Sequence, residues 1–157
     1  MQNRLEVVLG LRKLLLPKNN LWSRRAILVF TFILFDYLST LAFCHAPQEE
    51  ANMLAKAFME SLGIIPGLTL FVFASNLPIY VTLSFDSHMV RLPSKIAPLL
   101  EVPVDALFAW FVAGVHFNGG SSWFWSASDL LRQVFGAILY MITVFLVVKP
   151  HKPRYGN

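Results

Sequence analysis

The chain sets carboxylates, hydroxyls and imidazoles within and beside stretches that are otherwise apolar. In FDYLSTLAFCHAPQEEAN, residues 35–52, Asp36 is followed by Ser39 and Thr40. They lie three and four positions on, so a helix puts them on its face. Asn76 and Asp105 stand in later apolar stretches and complete one candidate set, an intramembrane polar cluster. Such groups either bond one helix to another or line a proton or cation path. A second set, His45, Glu49, Glu50, Asn52, His116 and Asn118, falls at the ends of the apolar stretches and is expected at an outer face. His45, Glu49 and His116 are residue types that ligate zinc, but their spacing matches no zinc motif, so no metal site is expected. Ser39 lacks the glycine context of a nucleophile, and His116 is expected at another depth. G-x-x-x-x-G-K-[ST], G-x-G-x-x-G and H-E-x-x-H are absent. No catalytic residue is assigned and no cofactor is expected.

The elements that position these residues follow from composition. Of 157 residues, 56% are hydrophobic and 14% charged, against roughly 25% charged in a soluble domain. An all-α integral membrane protein, one transmembrane domain over 1–157, is the expected class. Cys44 is the one cysteine, which excludes an internal disulfide and a Cys-based metal cluster. A membrane-crossing helix needs about 20 apolar residues. Four windows qualify: 26–46, 64–85, 97–117 and 130–148. Asp36 is the eleventh residue of the first window, near its middle. A central Asp costs ~2.5–3.5 kcal/mol. The large apolar residues around it return ~0.3–0.6 kcal/mol each, so the window still inserts and the carboxyl must find protein, water or a proton. Asn76 or Asp105 is its expected partner across the bundle.

Eleven of the 13 basic residues lie before the first window, between the second and third, or after the fourth. Lys56 and Arg132 alone fall on the other side. Both termini are therefore expected in the cytoplasm, with Arg24 and Arg25 as anchors. This distribution also argues against nucleic acid as a partner. Residues 1–20 read as an amphipathic helix on the cytoplasmic surface, ended near Pro17. A short interfacial helix over 51–63 is expected before the second span, its apolar face built from Met53, Leu54, Ala57 and Phe58. Gly63 and Pro66 should break it. Pro78 frees a carbonyl within the second span, and Asn76 is placed to satisfy freed backbone. Asp129 and Arg132 are spaced for an i, i+3 ion pair, and Gly136 and Ala137 for close helix approach. SRRAIL (23–28) and LAFC (41–44) are incomplete export and lipoprotein signals, so the first span is expected to stay attached.

The pattern of Asp36, Ser39, Thr40, Glu50 and Asn52 resembles a functionally uncharacterised family of small multi-pass prokaryotic membrane proteins. Its members pair an intramembrane D-x-x-[ST]-T with E-x-N-P just past the first hairpin. Here Met53 stands in place of the proline. The likeness covers the first half of the chain and extends more loosely to the third window, ending at Asn118. It implies a four-helix bundle in a prokaryotic plasma membrane and no particular activity. Three functions are open: a scaffold or accessory subunit, assembling with itself or a larger membrane complex; a transporter or channel with a path past Asp36, Asn76 and Asp105; and an intramembrane enzyme acting on lipid or peptide. The scaffold is expected first and the enzyme last, since short loops leave no soluble catalytic domain. A dry, paired Asp36 favours the scaffold; a cavity reaching it from one side favours transport.

Overall fold

The computed structural model describes residues 20–89 and 97–148, with side chains placed over 22–84 and 102–148. The surface helix expected over 1–20 lies outside the described residues apart from Asn20, as do Arg91, Lys95 and the basic C-terminal tail.

The described regular elements are all helical. They are α1 (Asn20–Phe43), a 3-10 turn (Pro47–Glu49), α2 (Met53–Leu62), α3 (Ile64–Met89), α4 (Ala97–Leu107), a π-helical segment (Phe108–Gly114), α5 (Val115–Ser122) and α6 (Asp129–Val147). Among the described residues three helices are long and apolar enough to cross a bilayer: Trp22–Phe43, Ile64–Ser84 and Asp129–Val147. These make the chain a small multi-pass membrane protein in contact with lipid. The expected third window falls within α4, the π segment and α5, which follow one another without a gap.

The first helix is displaced from its expected window: it starts at Asn20 rather than Ala26 and ends at Phe43 rather than Ala46. Ala46 is extended, with φ −140° and ψ 142°, because the ring of a following proline disfavours the helical region. At the other end the two arginines do not end the helix, because each has an acceptor. Arg24 donates to the carbonyl of Val147 at 3.0 Å, in the last turn of α6, where carbonyls lack helical partners. Arg25 points inward.

Asn52 caps α2, its side-chain oxygen accepting from the N–H groups of Leu54 and Ala55. The bundle-facing side of α2 is not the apolar face marked in the sequence, which stays outward as an interfacial helix requires. Ala55 and Met59 are buried, while Met53 and Leu54 are 83% and 66% exposed. The connection explains this. Gly63, at φ +89°, takes a left-handed turn that glycine permits and folds α2 back on α3. A Cβ at Gly67 would overlap the Phe58 carbonyl. That close approach fixes the rotation of α2 and turns Met53 and Leu54 outward.

The helix run 97–122 lies parallel to α1. Arg25 bonds Asp105 and Asp36 bonds His116, each pair separated by 80 positions. Higher up, Thr40 bonds Trp123. Helices α3 and α6 run antiparallel to these two: Tyr80 packs on Trp22 and Phe30, Tyr37 meets Thr69, and Asn118 meets Arg132. Between the two polar levels lies an apolar core. It includes Val29, Phe32 and Ile33 of α1, Phe108, Ala109, Val112 and Ala113 of the π segment, and Tyr140 and Val144 of α6. Gly136 lets α6 close on this run, for a Cβ there would overlap Phe117.

Candidate functional site

Asp36 does not meet Asn76 or Asp105, the partners expected for it. Its Oδ2 lies 2.8 Å from Nδ1 of His116. An ionised carboxylate only accepts, so Nδ1 is then the donor and Nε2 of the imidazole faces other groups. The site is built by close packing. A Cβ on Gly119 would stand 2.6 Å from Asp36 Oδ1, and one on Gly120 would stand 2.9 Å from Asp36 Cα. Only bare backbone lets α5 approach α1 this closely.

The pair faces a cavity of about 570 Å³. Two sets of residues that the sequence kept apart meet around it. Asp36, Thr40 and Asn76 come from the expected intramembrane cluster. Glu49, Glu50, Asn52, His116 and Asn118 come from the expected outer-face cluster. Exposed Glu49, Asn52, Ser122 and Asp129 mark its mouth, and Ile33, Ile79 and Val115 line its apolar part. The remaining candidates lie elsewhere. Ser39 is buried and does not line the cavity; His45 is exposed, and its backbone N–H donates to Glu49. Among the described residues no group of three or more His, Cys, Asp or Glu is placed to hold a metal ion.

Asp105 belongs to a separate site. It pairs with Arg25 at 3.1 Å, and the two side chains are 10% and 2% exposed. Arg25 is thus a buried counter-ion and not a surface anchor. Asn76 also departs from its expected role. Its Nδ2 donates to the carbonyl of Val72, at 2.8 Å, and to Ser75 Oγ. The carbonyl one turn before Pro78 is that of Ala74, so Asn76 does not serve the group the proline frees.

The expected Asp129–Arg132 pair forms, but Arg132 does more than that pair. Its Nε donates to Asn118 Oδ1 at 2.8 Å, and its Nη1 donates to the carbonyls of Trp125 and Ala127. It ties the loop after α5 to the start of α6 and has little capacity left for a ligand. The carboxylates at the cavity are Asp36, Glu49, Glu50 and Asp129, against Arg132 and His116. Two groups near the mouth register this imbalance. Burial pushes the Glu50 carboxyl above the usual carboxylate range, and the charge of Asp36 adds to the rise, while N–H bonds from Asn52 and Ala51 oppose it. Burial likewise raises the Cys44 thiol, helped by Glu49 and Glu50.

Sequence reasoning missed Arg25, Tyr37, Trp123 and Gly119. One signal was present: Arg25 to Asp105 and Asp36 to His116 are oppositely charged or acid–imidazole pairs at the same offset of 80. No family model, curated protein or solved structure matches the chain.

Proposed function

We propose that the chain is a four-span protein of a prokaryotic plasma membrane, both termini cytoplasmic, that binds a small cation as the substrate of a carrier. Membership of the small multi-pass family is part of this proposal, and its support is the Asp36-to-Asn52 pattern alone. The third span in chain order is the run 97–122, whose supports are its unbroken helical course and its parallel packing on α1.

The observation that carries the carrier reading is the polar cavity at Asp36. Its acidic lining includes the exposed Glu49 and Asp129, and Ile33 of the apolar core lies in its wall. A polar site walled by acidic groups beside an apolar core suits a cation that is bound and then released, as in a carrier. The scaffold reading is second. Its interhelical glue exists in Arg25–Asp105, but that pair forms within one chain and is buried there, so it presents no surface to a partner. The enzyme reading is weakest. Among the described residues His116 bonds Asp36 and no hydroxyl or thiol, so no activated nucleophile is in place.

The test uses the full chain in phosphatidylcholine nanodiscs. Trp123 lines the cavity, so tryptophan fluorescence should respond saturably to n-propylammonium. Asp36→Asn keeps the shape and should weaken the response at least tenfold without lowering the melting temperature. In proteoliposomes the same substitution should abolish uptake of labelled propylammonium. A response that survives Asp36→Asn unchanged would sink the reading.

A further inference from the structure

Beside the polar cavity lies a second hollow of about 500 Å³ between α1 and α3. Its walls are Phe30, Leu34, Phe73, Leu77 and Tyr80, with Tyr37 and Thr69 toward one end. Leu34, Phe73 and Leu77 are 52%, 76% and 62% exposed, on the lipid-facing side of helices read as spans. The two hollows adjoin, with Ile33, Tyr37, Val72 and Asn76 lining both. Tyr37 bridges the two helices at that end: Thr69 Oγ1 donates to the Ile65 carbonyl and so accepts from Tyr37 Oη at 2.8 Å.

Asn76 is the informative group at that junction. It is 6% exposed. The Val72 carbonyl can only accept, so it fixes Nδ2 on the helix side, and Oδ1 must point the other way. Among the described residues Oδ1 receives no donor. Asn76 lines both hollows, so this oxygen stays open to them and can accept an N–H from a ligand at the point where the acidic cavity meets the apolar one.

Resting on the carrier reading, we infer that the ligand is an amphiphile with a protonated amine head and an alkyl tail. The ammonium sits in the acidic cavity and donates to Asn76 Oδ1, near Asp36. The tail lies in the groove of Phe30, Leu34, Phe73 and Leu77. Charge complementarity selects the amine over a phosphate head. The cavity's guanidinium, Arg132, is already engaged by Asn118, Asp129 and two carbonyls, while four carboxylates would repel a phosphate. The bilayer supplies such a molecule laterally, through the open side of the groove.

The probe is dodecylamine carrying a diazirine at its chain end, photolysed with the full chain in phosphatidylcholine nanodiscs. Crosslinks should concentrate on residues 30–37 and 69–80, and saturating n-propylammonium should displace them. Asn76→Leu and Asp36→Asn should each lower that labelling at least fivefold. Leu34→Trp and Leu77→Trp fill the groove at exposed positions and should do the same, with folding checked by circular dichroism. Even labelling of all lipid-facing helices, indifferent to these substitutions, would falsify the amphiphile proposal. If propylammonium still binds in that case, the carrier reading stands and only the tail site falls. If propylammonium does not bind either, both fall.

Discussion

Arg25–Asp105 and Asp36–His116 join the same two parallel helices at the same offset, yet they do different things. The lower pair is sealed: its side chains are 2% and 10% exposed, and Ala26 and Val29 beside Arg25 are buried. The upper pair is open: Asp36 and His116 keep 25% and 18% of their side-chain surface, facing the cavity. The two levels are 11 residues apart on α1, or about 16 Å at ~1.5 Å per residue. The difference lies in what surrounds each pair and not in the pair itself. Where the core closes over a charge pair, the pair locks helices. Where the packing of α1, α3 and α5 leaves a hollow, as at Asp36 and His116, a similar pair faces open space.

Breaking the sealed pair should have the largest effect. Asp105→Ala removes the carboxylate that Arg25 meets in the core, and breaking a buried ion pair costs about 3–5 kcal/mol. Thermal unfolding in nanodiscs should show that loss, and the double change Arg25→Met with Asp105→Leu should recover most of it. Asp36→Asn, by contrast, should leave stability nearly unchanged while removing cation binding. Equal destabilisation by the two single changes would erase the distinction between lock and site.

A middle-sized effect tests the packing that makes the open pair. Gly119→Ala drives a methyl into Asp36, and overpacking costs about 1–3 kcal/mol. Propylammonium binding should fall with it, because Asp36 must swing away from His116. Gly119→Ala with normal binding would mean that the Asp36–His116 contact is dispensable for the site.

The smallest effect concerns pH. The raised Glu50 carboxyl holds its proton in the folded chain at pH values where the unfolded chain has lost it. Stability is therefore fullest below the ordinary carboxylate range and falls as pH rises through the raised value. Glu50→Gln keeps an acceptor for the Asn52 N–H, at present bonded at 2.8 Å, and removes the charge. The variant should match the parent in acid and melt higher than it at neutral pH. A difference that does not grow with pH would contradict an acidic mouth.

Several polar residues that line the cavity were singled out in the sequence; their pairing was not. An aspartate inside an apolar stretch announces itself by cost, and Asp36, Asn76 and Asp105 were singled out that way. Depth was then read from window edges, and the edges were displaced. Measured from 26–46 and 97–117, Asp36 lies deep and His116 lies at the rim. Measured from the actual ends, Asp36 is seven residues before Phe43 and His116 six before Ser122. That places them level. Arg25 was hidden for a different reason. Counting positive charges assigns sides to loops but says nothing of azimuth, so an arginine aimed inward looks like an anchor. Glu49, Glu50 and Asn52 were recognised as polar neighbours, but the fold-back of α2 on α3 at Gly63 brings them over the cavity. The π segment had no signal in residue pattern at all; it falls where Gln133 Nε2 donates to the Trp110 carbonyl from α6.

The parallel register also orders events during synthesis. Two neighbouring parallel helices cannot be joined by a tight hairpin, so 80 residues of chain separate each member of a polar pair from its mate. At ~5–20 residues per second, a ribosome takes roughly 4–16 s to supply them. For that interval Arg25 and Asp36 are already in the nascent first helix while Asp105 and His116 do not yet exist. The insertion machinery, or the first helix alone, must hold these two ionisable groups without those partners until the run 97–122 arrives. The large apolar residues of α1 supply the insertion energy for that wait, which gives the greasiness of this helix a purpose in biogenesis beyond the finished bundle.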